Sequence, residues 1–290
     1  MIEVKQKKKV GLALGGGGAK GLAHIGVIKE LERLGIEISF ISGTSMGALI
    51  GGFYAITGDI QFLEDFFTSI KKDDIFPATH MMRKKDGEIF KHSLLDRIES
   101  KIKGIDIKDT KIPFSAVATD VETGDEIILR EGDIIQAIQA STALPFVFPP
   151  TRINGRVLMD GGFVNPVPAD VVRSMGAECV VAIDVSSKWI NLEKESINPM
   201  KVYSMLPHAL SIVEYQLARN ILKDADVVLN PPVLQYKWND FEFGREIIQC
   251  GTKEIKEHLK EIYKKTGITP PQKKPIESFF DLIFYGIDDE

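Results

Sequence analysis

Apolar residues along this chain fall into two alternating rhythms, short unbroken runs and longer stretches at helical spacing. Val10–Leu14 is five residues without a charge, the pattern of a strand buried on both faces. It leads into Gly15-Gly16-Gly17-Gly18-Ala19-Lys20-Gly21. Leu22, Ile25, Ile28, Leu31 and Leu34 then recur near helical spacing until Gly35 marks the helix end. A second run of strand formers, 38–42, meets Gly43-Thr44-Ser45-Met46-Gly47, and 48–55 continues as a helix of small and apolar residues. Strand, glycine loop, helix, strand, helix is the alternation that builds a parallel sheet covered by helices.

The pattern then loosens. A helix at 60–70 gives way to 71–90, which mixes Pro77, His80, Met81, Met82 and Gly87 without a period; it reads as a long loop, with a lid as its functional counterpart. A helix is expected at 93–103. Strands at 113–119 and 126–130 flank Glu122-Thr123-Gly124-Asp125, whose turn chemistry predicts a hairpin. A helix from 133 to 141 stops before Leu144-Pro145, because the prolines of Pro145-Phe146-Val147-Phe148-Pro149-Pro150 cannot extend it. A strand at 156–159 delivers Asp160-Gly161-Gly162, and 178–185 is the most apolar of the late strands. Beyond Ser186, helices are expected at 203–222 and 244–263, with a short strand at 227–229 between them. The aromatic-rich end, 276–287, is expected to fold back onto the core, with a membrane-facing or partner-facing edge as the sharper alternative. The expected organisation is a core at 10–185 that carries the motifs, and a C-terminal helical part at 186–290 packed on the same domain.

Composition changes this picture little. With 290 residues, 44% hydrophobic and 27% charged, the chain can bury an ordinary globular core. A formal net charge of -5 argues against a nucleic-acid partner. Lys5-Gln6-Lys7-Lys8-Lys9 reads as a solvated tail, with contact to anionic headgroups as its functional counterpart. Cys179 and Cys250 lie far apart without metal-ligand spacing and point to a reducing compartment. No secretory signal is evident, and no apolar run reaches the ~20 residues that span a bilayer. The expectation is a cytoplasmic protein whose contact with a membrane, if any, is peripheral and at its inner face.

Three features call for one chemistry. Ser45 stands between two glycines at a strand-to-helix junction, the setting of a nucleophile elbow, where small neighbours and a strained backbone expose the hydroxyl. On the pentapeptide alone, a plain strand-to-helix turn with Ser45 as its capping residue is the favoured reading, because G-x-S-x-G is short. Hydrolytic acyl transfer would also use the glycine loop, because N–H groups unobstructed by side chains can hold an oxyanion. The proton acceptor is the open point. His24 falls inside the first helix, His80 and His92 in or beside the irregular region, and only His208 and His258 follow Asp160 and Asp184 in the chain order of a Ser-Asp-His triad. Asp160 is itself a candidate base, if burial raises its pKa. Other readings of the glycines fare worse. Gly16, Gly18 and Gly21 satisfy G-x-G-x-x-G, but the second strand ends without the acidic residue a dinucleotide ribose needs, and no Lys-Ser or Lys-Thr completes a Walker loop. Lys20 stands ready for an anionic oxygen, or simply for solvent.

The ordered set Gly-Gly-Gly-Ala-Lys-Gly at 16–21, Gly-Thr-Ser-Met-Gly at 43–47 and Asp-Gly-Gly at 160–162 resembles the patatin-like phospholipases. The segment Ala140-Ser141-Thr142-Ala143-Leu144-Pro145 and the residues after it resemble the stretch that bacterial members carry before the aspartate. The resemblance covers about 10–174. It implies a three-layer α/β/α sandwich around a mostly parallel sheet and a lipid or acyl-ester substrate, with no metal or cofactor. It implies Ser45 as nucleophile, Asp160 as its dyad partner and an oxyanion hole from Gly16, Gly17 and Gly18, with Gly21, Gly43, Gly47, Gly161 and Gly162 as motif glycines. Asp-Gly-Gly stands where many members have Asp-Gly-Ala. An α/β-hydrolase triad through His208 or His258, and a non-catalytic lipid-binding regulator, remain as rivals.

Overall fold

Every residue of Val10–Leu14 is buried, and in the computed structural model this strand, β1, lies inside a sheet built from eight described strands. The structure describes residues 8–69, 103–145, 147–186 and 202–269, with side chains from 212 onward in the last segment. The expected loop or lid at 71–90, the helix at 93–103 up to its final residue and the aromatic end at 276–287 lie outside the described residues. So do His80, His92 and the side chain of His208.

The other strands are β2 (Ile38–Thr44), β3 (Phe114–Asp120), β4 (Glu126–Leu129), β5 (Thr151–Ile153), β6 (Arg156–Asp160), β7 (Cys179–Ile183) and β8 (Val227–Leu229). Their order is β5-β6-β3-β2-β1-β7-β8, with β4 paired to β3 off this path. The pairs β1–β2, β1–β7, β2–β3 and β7–β8 are parallel; β3–β4, β3–β6 and β5–β6 are antiparallel. The hairpin expected around residues 122–125 is β3–β4. Strand β5 is too short to show a period; its signal is the dipeptide Asn154-Gly155, whose positive φ angles (50° and 82°) suit the tight turn into β6.

The helices are α1 (Ala23–Arg33), α2 (Met46–Thr57), α3 (Ile60–Ser69), α4 (Ile134–Ser141), α5 (Ala169–Ser174), α6 (Val202–Ile221), α7 (Gly244–Glu257) and α8 (Leu259–Thr266). The single helix expected at 244–263 is broken at His258 into α7 and α8. Alternation along the strands sorts the core into two layers. Val10, Leu12 and Leu14 of β1, with Cys179, Val181 and Ile183 of β7, face a large cluster shared with α1–α4 and α7. Ala13, Val180 and Ala182 face a smaller one with Ala169 and Val172 of α5 and Ala218 of α6. Helices on both faces of one sheet make the α/β/α sandwich.

The C-terminal part is tightly built in. Helix α7 crosses α1 so closely that a Cβ at Gly26 would lie 1.9 Å from the Ile248 carbonyl oxygen. Strand β8 extends the sheet beyond β7.

Register places the site. Strand β3 pairs with β2 over residues 114–117 and with β6 over 118–120, while β4 takes 116–119. Since β4 overlaps both, β2 and β6 must share the opposite edge of β3, end to end. Thr44 lies opposite Val117, and Asp160 opposite Ala118, one step further along. The residue that follows β2 therefore meets the last residue of β6.

Candidate active site

That residue is Ser45, at φ 54° and ψ -122°, one of two non-glycine residues with positive φ among those described. Such a conformation is strained for a side chain and persists only where the surroundings fix it. Three contacts do so. A Cβ at Gly43 would fall 2.4 Å from Gly47 backbone atoms, and one at Gly47 would fall 2.0 Å from the Leu14 carbonyl oxygen, so the elbow closes only with glycine at both places. The Ser45 N–H donates to Ser141 Oγ at 3.0 Å, and Ser141 donates in turn to the Val117 carbonyl at 2.6 Å. Met46, the residue after Ser45 and the first of α2, packs against Gly21, where a Cβ would come within 2.5 Å of its side chain.

Asp160 reaches the same point from β6. Its carboxylate lies near enough to the Ser45 hydroxyl for that group to draw its pKa down, and Oδ1 accepts the Gly162 N–H at 2.9 Å. Its backbone is held as well: the N–H donates to Ala143 O at 3.1 Å, and the carbonyl accepts from Thr119 Oγ1 at 2.8 Å. Segment 140–143 thus fixes both members of the pair, Ser45 through the Ser141 hydroxyl and Asp160 through the Ala143 carbonyl. Asp160 is 3% exposed. Burial pushes its pKa up to about 6, against the opposing pull of the Gly162 N–H and the Ser45 hydroxyl. At neutral pH it is an ionised carboxylate whose proton affinity lies near the working pH, as a general base requires.

The glycine loop lies against the serine: a Cβ at Gly16 would be 3.3 Å from Ser45 Cβ. The three glycines of the expected oxyanion hole are not equivalent. Gly16 gives its N–H to the Pro166 carbonyl at 3.0 Å. Among the described residues, the N–H groups of Gly17 and Gly18 have no acceptor. Gly18 turns at φ 56°, and a side chain there would strike the Trp238 carbonyl, which accepts the Ala19 N–H at 2.7 Å.

No histidine nitrogen bonds to Ser45 or Asp160 among the described residues. His24 is fully buried and donates from Nε2 to the Gly15 carbonyl at 2.7 Å; burial lowers its pKa to about 4, so it stays neutral and braces the loop. His258 is bonded through Nδ1 to Glu254 O at 3.0 Å at the α7–α8 break. Charged groups gather around Lys20, and one of them, Glu214, also faces Asp160. Half-buried Lys20 is lowered in pKa by burial, while Glu214, Asp184 and Asp240 pull it back up. Asp184, just past β7, is buried and accepts from the N–H and hydroxyl of Ser186. Ser141, Glu214 and the bracing role of His24 have no motif in the sequence; Ser141 lay within a recognised segment without an assigned part.

The family model described as patatin-like phospholipase matches residues 12–173. The chain belongs to this family. A patatin-like phospholipase domain-containing protein of Caenorhabditis elegans is 33% identical over 304 residues, which cover 91% of this chain and 22% of that protein. Human patatin-like phospholipase domain-containing protein 6 is 35% identical over 276 residues, 83% of this chain and 20% of its own length. An NTE family protein of Mycobacterium tuberculosis is 34% identical over 178 residues, 61% of this chain and 49% of that one. The chain therefore spans between a fifth and a half of the length of these patatin-like relatives. Among solved structures, VipD from Legionella pneumophila aligns over 88% of this chain and 67% of its own, with a TM-score of 0.46 and 16% identity. The type III effector ExoU aligns over 88% and 53%, with a TM-score of 0.43 and 12% identity. Among the described residues no helix is long and apolar enough to cross a membrane.

Proposed function

We propose that this patatin-like chain is a serine lipid acyl hydrolase that cleaves the carboxylic ester of a phospholipid, a lysophospholipid or a simpler acyl ester. The observation that carries the reading is the meeting of Ser45, strained at the elbow after β2, with buried Asp160 at the abutting end of β6. Ser45 Oγ adds to the ester carbonyl carbon while its proton passes to Asp160. The resulting oxyanion is received by the N–H groups of Gly17 and Gly18, which have no acceptor among the described residues. Collapse expels the alcohol, which takes the proton from Asp160, and water then repeats the sequence on the acyl-enzyme. Contact with the lipid surface would be peripheral.

The test is hydrolysis of a short-chain p-nitrophenyl ester by purified variants. Ser45→Ala and Asp160→Asn are each expected to reduce kcat by about 10³ or more with the circular dichroism spectrum unchanged. Turnover within tenfold of wild type in either folded variant would remove the dyad.

A further inference from the structure

Helix α6 lies outside the segment matched by the family model, yet it sends one side chain to the dyad. A methyl group at residue 162 would sit 2.7 Å from Glu214 Oε1 and 3.2 Å from Asp160 Oδ1. The two carboxyl oxygens are therefore at most about 6 Å apart, on either side of a position that glycine leaves open. That is the span of two hydrogen bonds of about 2.8 Å each through one water. The Glu214 carboxyl makes no hydrogen bond or ion pair with any described residue. The charged groups facing it are Asp160 at the end of β6, Asp184 after β7 and Lys20 in the turn that follows the glycine loop. Burial, followed by the two carboxylates, pushes its pKa up to about 8 against the pull of Lys20, so at neutral pH it keeps its proton. A neutral carboxyl offers an acceptor and a donor without adding a second negative charge beside Asp160.

Deacylation requires such a group. In the acyl-enzyme Ser45 Oγ is esterified and has no proton to give Asp160, so a water must take its place against that carboxylate. A confined water is held by two or more polar partners.

We propose that Glu214 is a further member of the hydrolytic site, which with Asp160 holds the water that cleaves the acyl-enzyme in the space that Gly162 leaves open. The proposal rests on the Ser45–Asp160 reading above. The water oxygen bonds to the acyl carbonyl carbon as one of its protons passes to Asp160. The tetrahedral intermediate then expels Ser45 Oγ, the acyl–oxygen bond breaks, and Asp160 returns the proton to that oxygen. The free acid leaves, and Glu214 keeps its own proton throughout.

The experiment is pre-steady-state hydrolysis of a p-nitrophenyl ester near pH 7, with mass spectrometry of the quenched enzyme, for wild type, Glu214→Ala, Glu214→Gln and Gly162→Ala. In Glu214→Ala, deacylation is expected to slow at least about tenfold more than acylation, giving a p-nitrophenolate burst near one equivalent and an acyl adduct on Ser45. Glu214→Gln, which retains an acceptor and a donor, is expected within about threefold of wild type. Gly162→Ala, whose methyl displaces the flexible Glu214 carboxyl, is expected to resemble Glu214→Ala. Parallel slowing of both steps, no slowing of deacylation, or a glutamine variant as slow as alanine would overturn the proposal, while an acyl adduct trapped on Ser45 would still support the dyad. Absence of any Ser45 adduct in all four proteins would overturn the dyad reading, and the proposal with it.

Discussion

Asp160 combines two requirements that oppose each other, burial and ionisation. Its folded pKa of about 6 exceeds the ordinary carboxylate value of 3.8, so the folded chain holds this proton more tightly than the unfolded one. Above pH 6 the ionised, desolvated carboxylate therefore weakens the fold, by on the order of 3 kcal/mol, and below about pH 4 the cost disappears. Asp160→Asn retains the shape and an acceptor without the charge. Urea denaturation should find it more stable than wild type by on the order of 2–3 kcal/mol at pH 8, with the advantage lost toward pH 4; a difference independent of pH would contradict this. Ser45, Asp160 and the motif glycines were legible because each answers a local backbone demand, a sharp turn or a strand end. Ser141 and Glu214 were not. Their parts depend on a meeting between distant segments, 96 residues apart for Ser141 and Ser45, which no local pattern announces.

At the scale of elements, the meeting of Ser45 and Asp160 is a consequence of register. β2 and β6 abut on one edge of β3, and the turn at the end of each brings a functional side chain to the seam. Most strands could be read from their apolar runs, including β8, which has only three residues. Helix α5, six residues preceded by Pro166 and Pro168, is too short to display a period and went unread. The α1–α7 crossing also lies beyond sequence, because a glycine inside a helical pattern does not say what backbone approaches it. With the Ile248 carbonyl oxygen 1.9 Å from the position of a Cβ at Gly26, Gly26→Ala must separate the helices despite its better helix propensity. A loss of on the order of 2 kcal/mol or more is expected in chemical denaturation; a stabilised variant would mean that the two helices do not cross as described.

Across the whole molecule, the site extends beyond the family motifs. The match ends at residue 173, but β8 extends the sheet, α7 covers α1, the Trp238 carbonyl fastens the glycine loop through Ala19, and Glu214 reaches the dyad. The family motifs hold Ser45 and Asp160; the later segments supply support and charge around them. The dyad itself is most directly tested by the rate at which a fluorophosphonate labels the chain as a function of pH, with the adduct located by peptide mass spectrometry. The expected result is a single adduct on Ser45, formed at a rate that rises about tenfold per unit up to pH about 6 and then levels, and that is lost in Asp160→Asn. An adduct on another residue, or wild-type labelling with an unchanged pH profile in Asp160→Asn, would contradict it.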